Sequence, residues 1–496
     1  MKKLASTLSK YLLILFPPLF FFSYFPIITL GANTYMNFEL SLPEIWLVVF
    51  FISSLFNAKA VYKFYGIKKI ALASLVPIYF SLSILWSENR PRAILTAGLF
   101  WLLVFAALGI IYYLKNDRSK RLRSSLIKSL LISATAISAF CWLQCILDIA
   151  GVPRDTTLLC RGCVASTFGF PHPSGFAIEP QFMGNLLLAP VLLCFYLLSK
   201  ASSAPKSKNQ ALRRILLTLF LTTTLFLTLS RGAIYAFIVA LIVMLLLIRK
   251  KSMLIKSSVC TAASLILALT AFGAFSVLGP TSDNFVSGVT KAVHQLTLGK
   301  IDLRPDEVKN STVDTNVSIT KDSETTQESV GSQPNTQPAD QQTDPAHFSG
   351  YVEESTNVRL SLNSLAFRTW FSSPRYIIIG TGLGSAGPAM NRAFPAEIGP
   401  KEIVQNEYVS LLLETGLLGI VTILFVVIFT TVYLVKQKFL KNNPLFLCVL
   451  LGFALTLLFF SGLPNALHLY LFPLLLFNFN RRSENNFLVA DVVENH

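Results

Sequence analysis

The sequence predicts an all-α, polytopic membrane protein of about twelve transmembrane helices, with one large extracytoplasmic loop between spans nine and ten. Three observations predict it. Of 496 residues, 53% are hydrophobic and only 14% charged, and the mean hydropathy is +0.58, more apolar surface than a soluble domain needs. The apolar residues fall in successive runs of roughly 17–25, the length that crosses a bilayer as a helix. The positive charges are also one-sided: with the N-terminus inside, 27 of the 42 Lys and Arg fall on the inner segments. The short outer loops hold Arg90, Arg92, Arg154, Arg161 and Arg231, and this bias sets orientation.

The expected spans are 11–30, 43–58, 70–86, 93–114, 125–149, 181–199, 212–230, 232–248, 254–279, 408–435, 444–461 and 464–479. The organisation is therefore residues 1–279 as the first nine spans, 280–404 as the loop, 405–480 as the last three spans and 481–496 as a cytoplasmic tail. Lys2 and Lys3 precede an imperfect apolar run with no small-residue cleavage site, so the first helix is read as uncleaved. The net charge of +16 is mostly topogenic, which argues against nucleic-acid binding.

The first five spans carry no motif tied to chemistry and read as scaffold. The outer loop 151–180 is rich in Gly and Pro, which suits a folded, non-helical loop. It contains Cys160 and Cys163, a pair that can close a small disulfide in an oxidising compartment. His172 and Glu179 in this loop are either hydrated loop residues or a wall of an outward-facing site. The other five cysteines read as core or lipid-facing.

Two spans then meet at Ser230-Arg231-Gly232 with almost no loop. An arginine at a membrane turn often snorkels to the interface. Here the turn is on the outer side, Gly232 permits close backbone approach, and a guanidinium suits bidentate binding of phosphate. In the large loop, 302–347 is polar with few apolar residues and reads as a disordered insertion. Residues 357–370 have apolar residues at helical spacing and read as a membrane-surface helix bearing Arg359 and Arg368. Gly380-Thr381-Gly382-Leu383-Gly384 lacks a P-loop lysine and follows no soluble strand; it reads as a tight loop that lets backbone pack close to the site. Residues 404–419 join a polar start, Gln405, Asn406, Glu407 and Tyr408, to an apolar continuation, as at a helix entering the bilayer.

Four of these pieces, in this order, resemble the bacterial O-antigen ligase and O-antigen polymerase family of membrane glycosyltransferases. They are the Ser230-Arg231-Gly232 turn; Arg359 ahead of Pro374 and Gly380-Thr381-Gly382; Gln405-Asn406-Glu407-Tyr408-Val409; and Glu414-Thr415-Gly416-Leu417-Leu418-Gly419. The resemblance spans about 168–419. This chain departs from the family's pattern in having Gln405 where the family has a histidine, and about two extra residues between the proline and the glycines.

The resemblance implies transfer of a glycan from an undecaprenyl-diphosphate-linked donor to a glycan or lipid-core acceptor, in surface polysaccharide or lipopolysaccharide biosynthesis. The setting is the outer face of the bacterial cytoplasmic (inner) membrane, with both termini cytoplasmic. No metal or other cofactor is expected. Negative charge grows on the leaving diphosphate, and fixed arginines stabilise it; Arg231 and Arg359 match the family's arginines, with Arg368 in reserve. The acceptor hydroxyl must lose a proton. Glutamine cannot take it, so Glu407 or Glu179 is expected as base and Gln405 as an orienting group, with His172, Asn406 and Tyr408 toward the acceptor or glycan. Glu414, seven residues beyond Glu407 on the same helix face, is expected to pair with an arginine. The rival reading is a transporter or flippase for lipid-linked sugars, which usually places ionisable groups mid-membrane; the spans show none.

Overall fold

The computed structural model describes residues 2–21, 28–30, 38–117, 121–152, 164–165, 170–177, 179–201, 208–279, 284–298, 300–301, 351–399, 403–459 and 470–477. The architecture is all-α apart from two small hairpins. In chain order come α1 (Lys2–Phe20), β1 (Ile28–Leu30), β2 (Phe38–Leu40), α2 (Leu42–Leu55), α3 (Ala58–Ser83), α4 (Arg90–Asn116) and α5 (Arg121–Ile149). After β3 (Val164–Ala165) and β4 (His172–Pro173) follow α6 (Pro180–Ala201), α7 (Lys208–Leu227), α8 (Arg231–Ile248), α9 (Lys251–Leu278) and α10 (Phe285–Leu296). The last are α11 (Tyr351–Phe371), α12 (Pro374–Ile379), α13 (Ala386–Ala393), α14 (Glu407–Lys436), α15 (Phe439–Asn442), α16 (Pro444–Thr456) and α17 (Phe472–Leu475).

Among the described residues, eight helices are long and apolar enough to cross a membrane: α3 with its 3-10 extension to Trp86, α4, α5, α6, α7, α8, α9 and α14. The chain is thus a multi-pass membrane protein. Three more expected spans correspond to shorter apolar helices, Leu4–Phe20, Leu42–Leu55 and Pro444–Thr456. The expected 11–30 span is displaced. Its helix begins at Lys2 and carries Pro17 and Pro18 in its last turns, and Ile28–Leu30 pairs antiparallel with Phe38–Leu40. The basic stretch 59–69, expected as an inner loop, is helical and joins α3, with a break at Gly66 (φ 70°). Half of the expected span 464–479 lies outside the described residues, as do the polar insertion 302–347, Cys160, Cys163 and the tail 481–496. The five remaining cysteines are buried and free.

The bundle is organised around α6. In its membrane-length window 89% of residues are buried, against 6% for α14, and it packs on α5, α7, α8, α9 and α16. Its run from Leu186 to Leu193 is apolar on every side except Pro190, as a helix surrounded by protein must be. Polar side chains bond between helices elsewhere. Trp46 Nε1 donates to Leu12 O at 2.8 Å, Ser129 Oγ to Ile14 O at 2.7 Å and Trp142 Nε1 to Thr224 Oγ1 at 3.2 Å. Each such bond in a membrane protein contributes roughly 0.6 kcal/mol.

At one end of the bundle α14 is broken. Gly416 has φ 62° and ψ −172° inside the helix, and Gly380 has φ 74°. The two glycines lie back to back: a Cβ on Gly380 would stand 2.3 Å from Glu414 O, and one on Gly416 would stand 2.5 Å from Gly380 N. Gly380→Ala should lower the melting temperature of the purified protein, because left-handed backbone alone costs an L-residue about 1–2 kcal/mol and backbone atoms cannot move aside. Gly98→Ala, inside α4 with nothing within 4 Å, should not lower it, alanine being the better helix former; equal melting curves for both variants would refute the packing argument.

Candidate functional site

The Ser230-Arg231-Gly232 turn and Arg359 converge on Gln181, in the first turn of α6. Pro180 opens that helix, and the Glu179 carbonyl accepts the N–H groups of Phe182 and Met183 at 3.1 and 3.4 Å. Arg359 Nη2 donates to Gln181 Oε1 at 3.2 Å. Gln181 Nε2 donates to Phe459 O at 2.7 Å, and Ser230 Oγ donates to the Gln181 carbonyl at 3.4 Å. Close packing makes this meeting possible. A Cβ on Gly184 would stand 2.7 Å from Ser230 Cβ, and one on Gly232 would stand 2.9 Å from Phe459 Cβ. Ser230 is the N-cap of α8 yet makes no side-chain cap bond to it, so its hydroxyl serves α6 instead.

The start of α14 docks beside this junction. Glu407 N–H donates to Leu457 O at 3.0 Å, two residues before the carbonyl that Gln181 holds. Asn406 Oδ1 accepts the N–H groups of Tyr408 and Val409 at 3.0 and 3.3 Å, an N-cap of the ordinary kind. Its expected role toward the acceptor is therefore replaced by a structural one for that oxygen. The Tyr408 hydroxyl likewise donates to Ala454 O at 2.7 Å, while its ring is exposed. Glu407 is 1% exposed and accepts from Tyr470 OH at 3.3 Å. Gln405 is half-buried immediately before the cap, and Glu179 is exposed at the start of α6.

Two expected residues lie apart from the junction. Arg368 is nine residues from Arg359 on α11, which at 3.6 residues per turn is the opposite face, about 13 Å further along. It forms a bidentate pair with Glu397 at 3.0 and 3.3 Å and stacks on Phe394, 4.0 Å from the ring centroid. His172 is buried in the β3–β4 hairpin, paired through its backbone with Ala165. The following turn is held by Gln144, whose side chain donates to Gly175 O and accepts from Gly175 N–H, both at 2.9 Å. His172 thus forms part of a loop folded into the core rather than an exposed wall.

The glycine turn forms a second knot. Thr381 and Gly382 N–H donate to Leu413 O and Glu414 O, both at 2.9 Å. Tyr79 OH donates to Thr415 O at 2.5 Å, and Trp86 Nε1 to Ile379 O at 3.1 Å. Ser87 Oγ lies 2.7 Å from Ser385 Oγ and donates to Leu383 O at 2.9 Å. Glu414 accepts the Ala386 N–H at 3.2 Å and so caps α13, and the charge of Arg92 also acts on its carboxylate, in line with the arginine expected as its partner. Glu88 accepts from Arg392 at 2.9 Å and from Tyr376 OH at 3.1 Å. Burial, with the Glu88 carboxylate beside it, pushes the Tyr376 phenol above its ordinary value.

Sequence reasoning missed Gln181, Tyr470 and the α3–α4 corner from Tyr79 to Glu88, which had been read as scaffold. Gln181 carried a signal: a polar residue directly after a helix-opening proline, ahead of a continuously apolar run. Among the described residues no group of three or more His, Cys, Asp or Glu could hold a metal ion. No protein-family model, curated protein or solved structure matches the chain.

Gln181→Leu should release Arg359 and the Phe459 carbonyl together while keeping the volume of the side chain. We expect faster trypsin cleavage at Arg359 in the folded protein than in wild type, with the α6 core intact by circular dichroism. Identical cleavage rates would mean that Gln181 does not position the arginine.

Proposed function

We propose that the protein transfers a glycan from an undecaprenyl-diphosphate carrier to a sugar hydroxyl, at the outer face of the bacterial cytoplasmic membrane, as O-antigen ligases and polymerases do. The observation that carries this reading is the Gln181 junction. Two arginines that the sequence resemblance assigns to the diphosphate belong to segments 128 positions apart, yet one residue bonds to both segments.

The chemistry follows from the charges. As the anomeric carbon leaves the carrier, its bonding electrons pass to the diphosphate. Cationic groups fixed in advance stabilise that charge without reorganising, and removal of one such donor typically costs 10²–10³ in turnover. Arg359 is held by Gln181, and Arg231 opens α8, where the helix's free N–H groups also favour an anion. The expected orientation, both termini cytoplasmic, places this end of the bundle outside, where lipid-linked glycans are assembled on this reading.

The test uses vesicles containing the purified protein and undecaprenyl-diphosphate-linked glycan with candidate acceptors. Arg231→Ala and Arg359→Ala should each reduce donor consumption by about 10²–10³. Arg368→Ala should stay near the wild-type rate, since its exposed ion pair is worth about 1 kcal/mol or less to the fold. A ladder of products identifies a polymerase, and single transfer to a separate acceptor a ligase. Donor crossing the vesicle membrane without new glycosidic bonds would replace this reading with transport.

A further inference from the structure

The glycosyl-transfer reading leaves one chemical demand unassigned: a group to take the acceptor's proton. Glu407 already accepts from Tyr470. Glu179 is exposed at the start of α6, where water competes with any acceptor. The side chain most often used as a general base is histidine.

The last turn of α10 carries such a group. His294 is 4% exposed, and neither Nδ1 nor Nε2 has a hydrogen-bond partner. The neighbouring Gln295 Oε1 is also buried without one. Buried polar atoms are normally paired, and orphans call for an explanation such as a catalytic role or an absent ligand. An imidazole with both nitrogens unsatisfied keeps its full capacity to accept a proton on one side and to donate on the other.

The fold puts this turn near the arginine site. Tyr235 OH donates to Leu296 O at 2.5 Å, joining the end of α10 to α8. Tyr235 is four residues from Arg231, one helical turn or about 6 Å along the axis. The start of α10 is seated against α9, where a Cβ on Gly288 would stand 2.6 Å from Phe272 O. Lys291 lies one turn before His294 on its own helix, α8 reaches the end of α10 through Tyr235, and α9 carries no charged residue between Thr261 and Leu278. A base shut off from bulk water also suits a transfer in which water is a competing acceptor.

We propose that His294 is the general base of the transfer, a role that rests on the glycosyltransferase reading above. The acceptor oxygen forms its bond to the anomeric carbon as the bond from that carbon to the diphosphate oxygen breaks. The hydroxyl proton passes to an imidazole nitrogen of His294, the electron pair of the broken bond goes to the diphosphate, and the imidazolium then returns its proton to the departing diphosphate.

The experiment measures donor consumption by the full-length protein in vesicles across pH 5 to 9. Wild type should gain rate as an imidazole deprotonates. His294→Gln should lose about 10²–10⁴ in kcat with donor KM retained and that pH step gone, and added imidazole should restore part of the rate. Lys291→Gln, on the same helix, should keep both rate and pH step. His294→Gln at the wild-type rate, or a wild-type profile with no ionisation in this range, would overturn the assignment; the second readout stands even if the variant misfolds. If wild type consumes no donor, the glycosyl-transfer reading itself has failed and the assignment falls with it, an outcome distinct from an active enzyme indifferent to His294.

Discussion

The break in α14 at Gly416 is the constraint on which this end of the bundle depends. A helix that stops and restarts inside an apolar stretch releases backbone carbonyls, and no water in the hydrocarbon region can satisfy them. Here three consecutive carbonyls receive donors from elsewhere. Leu413 O takes the Thr381 N–H and Glu414 O the Gly382 N–H, while Thr415 O takes the Tyr79 hydroxyl. The Gly-Thr-Gly turn is thus a backbone template for the broken helix. Gly380 and Gly416 must lack side chains because each occupies the space where the other's Cβ would be. The α3–α4 corner closes the arrangement from the other side through Trp86 and Ser87.

This knot fixes α14 near its start, and α14 in turn fixes Gln405, Asn406 and Glu407 against the end of α16. The same α16 end holds Gln181 through Phe459 O. The starts of α6, α8 and α14 therefore meet around one helix end, each with the positive pole of its dipole there. Asn406 and Glu407 offset that field at α14. At α8 the N-cap hydroxyl is turned toward α6 and the first residue is Arg231, so two cationic side chains, Arg231 and Arg359, belong to the segments that Gln181 joins.

The sequence made the helical membrane fold legible because apolar run length and charge asymmetry are direct consequences of the bilayer. Span limits were less legible where local chemistry competes. Pro17 and Pro18 end α1 early, and the lysines at 59, 63, 68 and 69 sit in a helix that the charge pattern had marked as loop. In the site, Ser230-Arg231-Gly232, Gly380-Thr381-Gly382 and Glu414-Thr415-Gly416 were each visible as motifs, but not that the last two pair backbone to backbone. Arg368 was separable from Arg359 by helical periodicity alone, since nine residues reverse the face. Asn406 and Tyr408 were visible as polar residues, but whether such groups face a ligand or their own backbone depends on the path of the chain at the helix start.

The lopsided burial of α14 explains why the turn at its broken end has to be so closely built. Only 6% of its membrane-length window is buried, so little side-chain packing within the bilayer sets its tilt or depth. Apolar contact with lipid is non-directional and does not fix a register. The register of Gln405 to Glu407 against α16 and α11 therefore comes from directional contacts at the anchored end: the Thr381 and Gly382 bonds, the Glu407–Leu457 bond and the Glu414–Ala386 cap. Toward its other end α14 meets α3, where Lys69 Nζ donates to Tyr433 OH at 3.3 Å. The sequence concentrates its glycines, its conformational exceptions and its polar side chains at the anchor, and leaves the remainder of α14 as a plain apolar span.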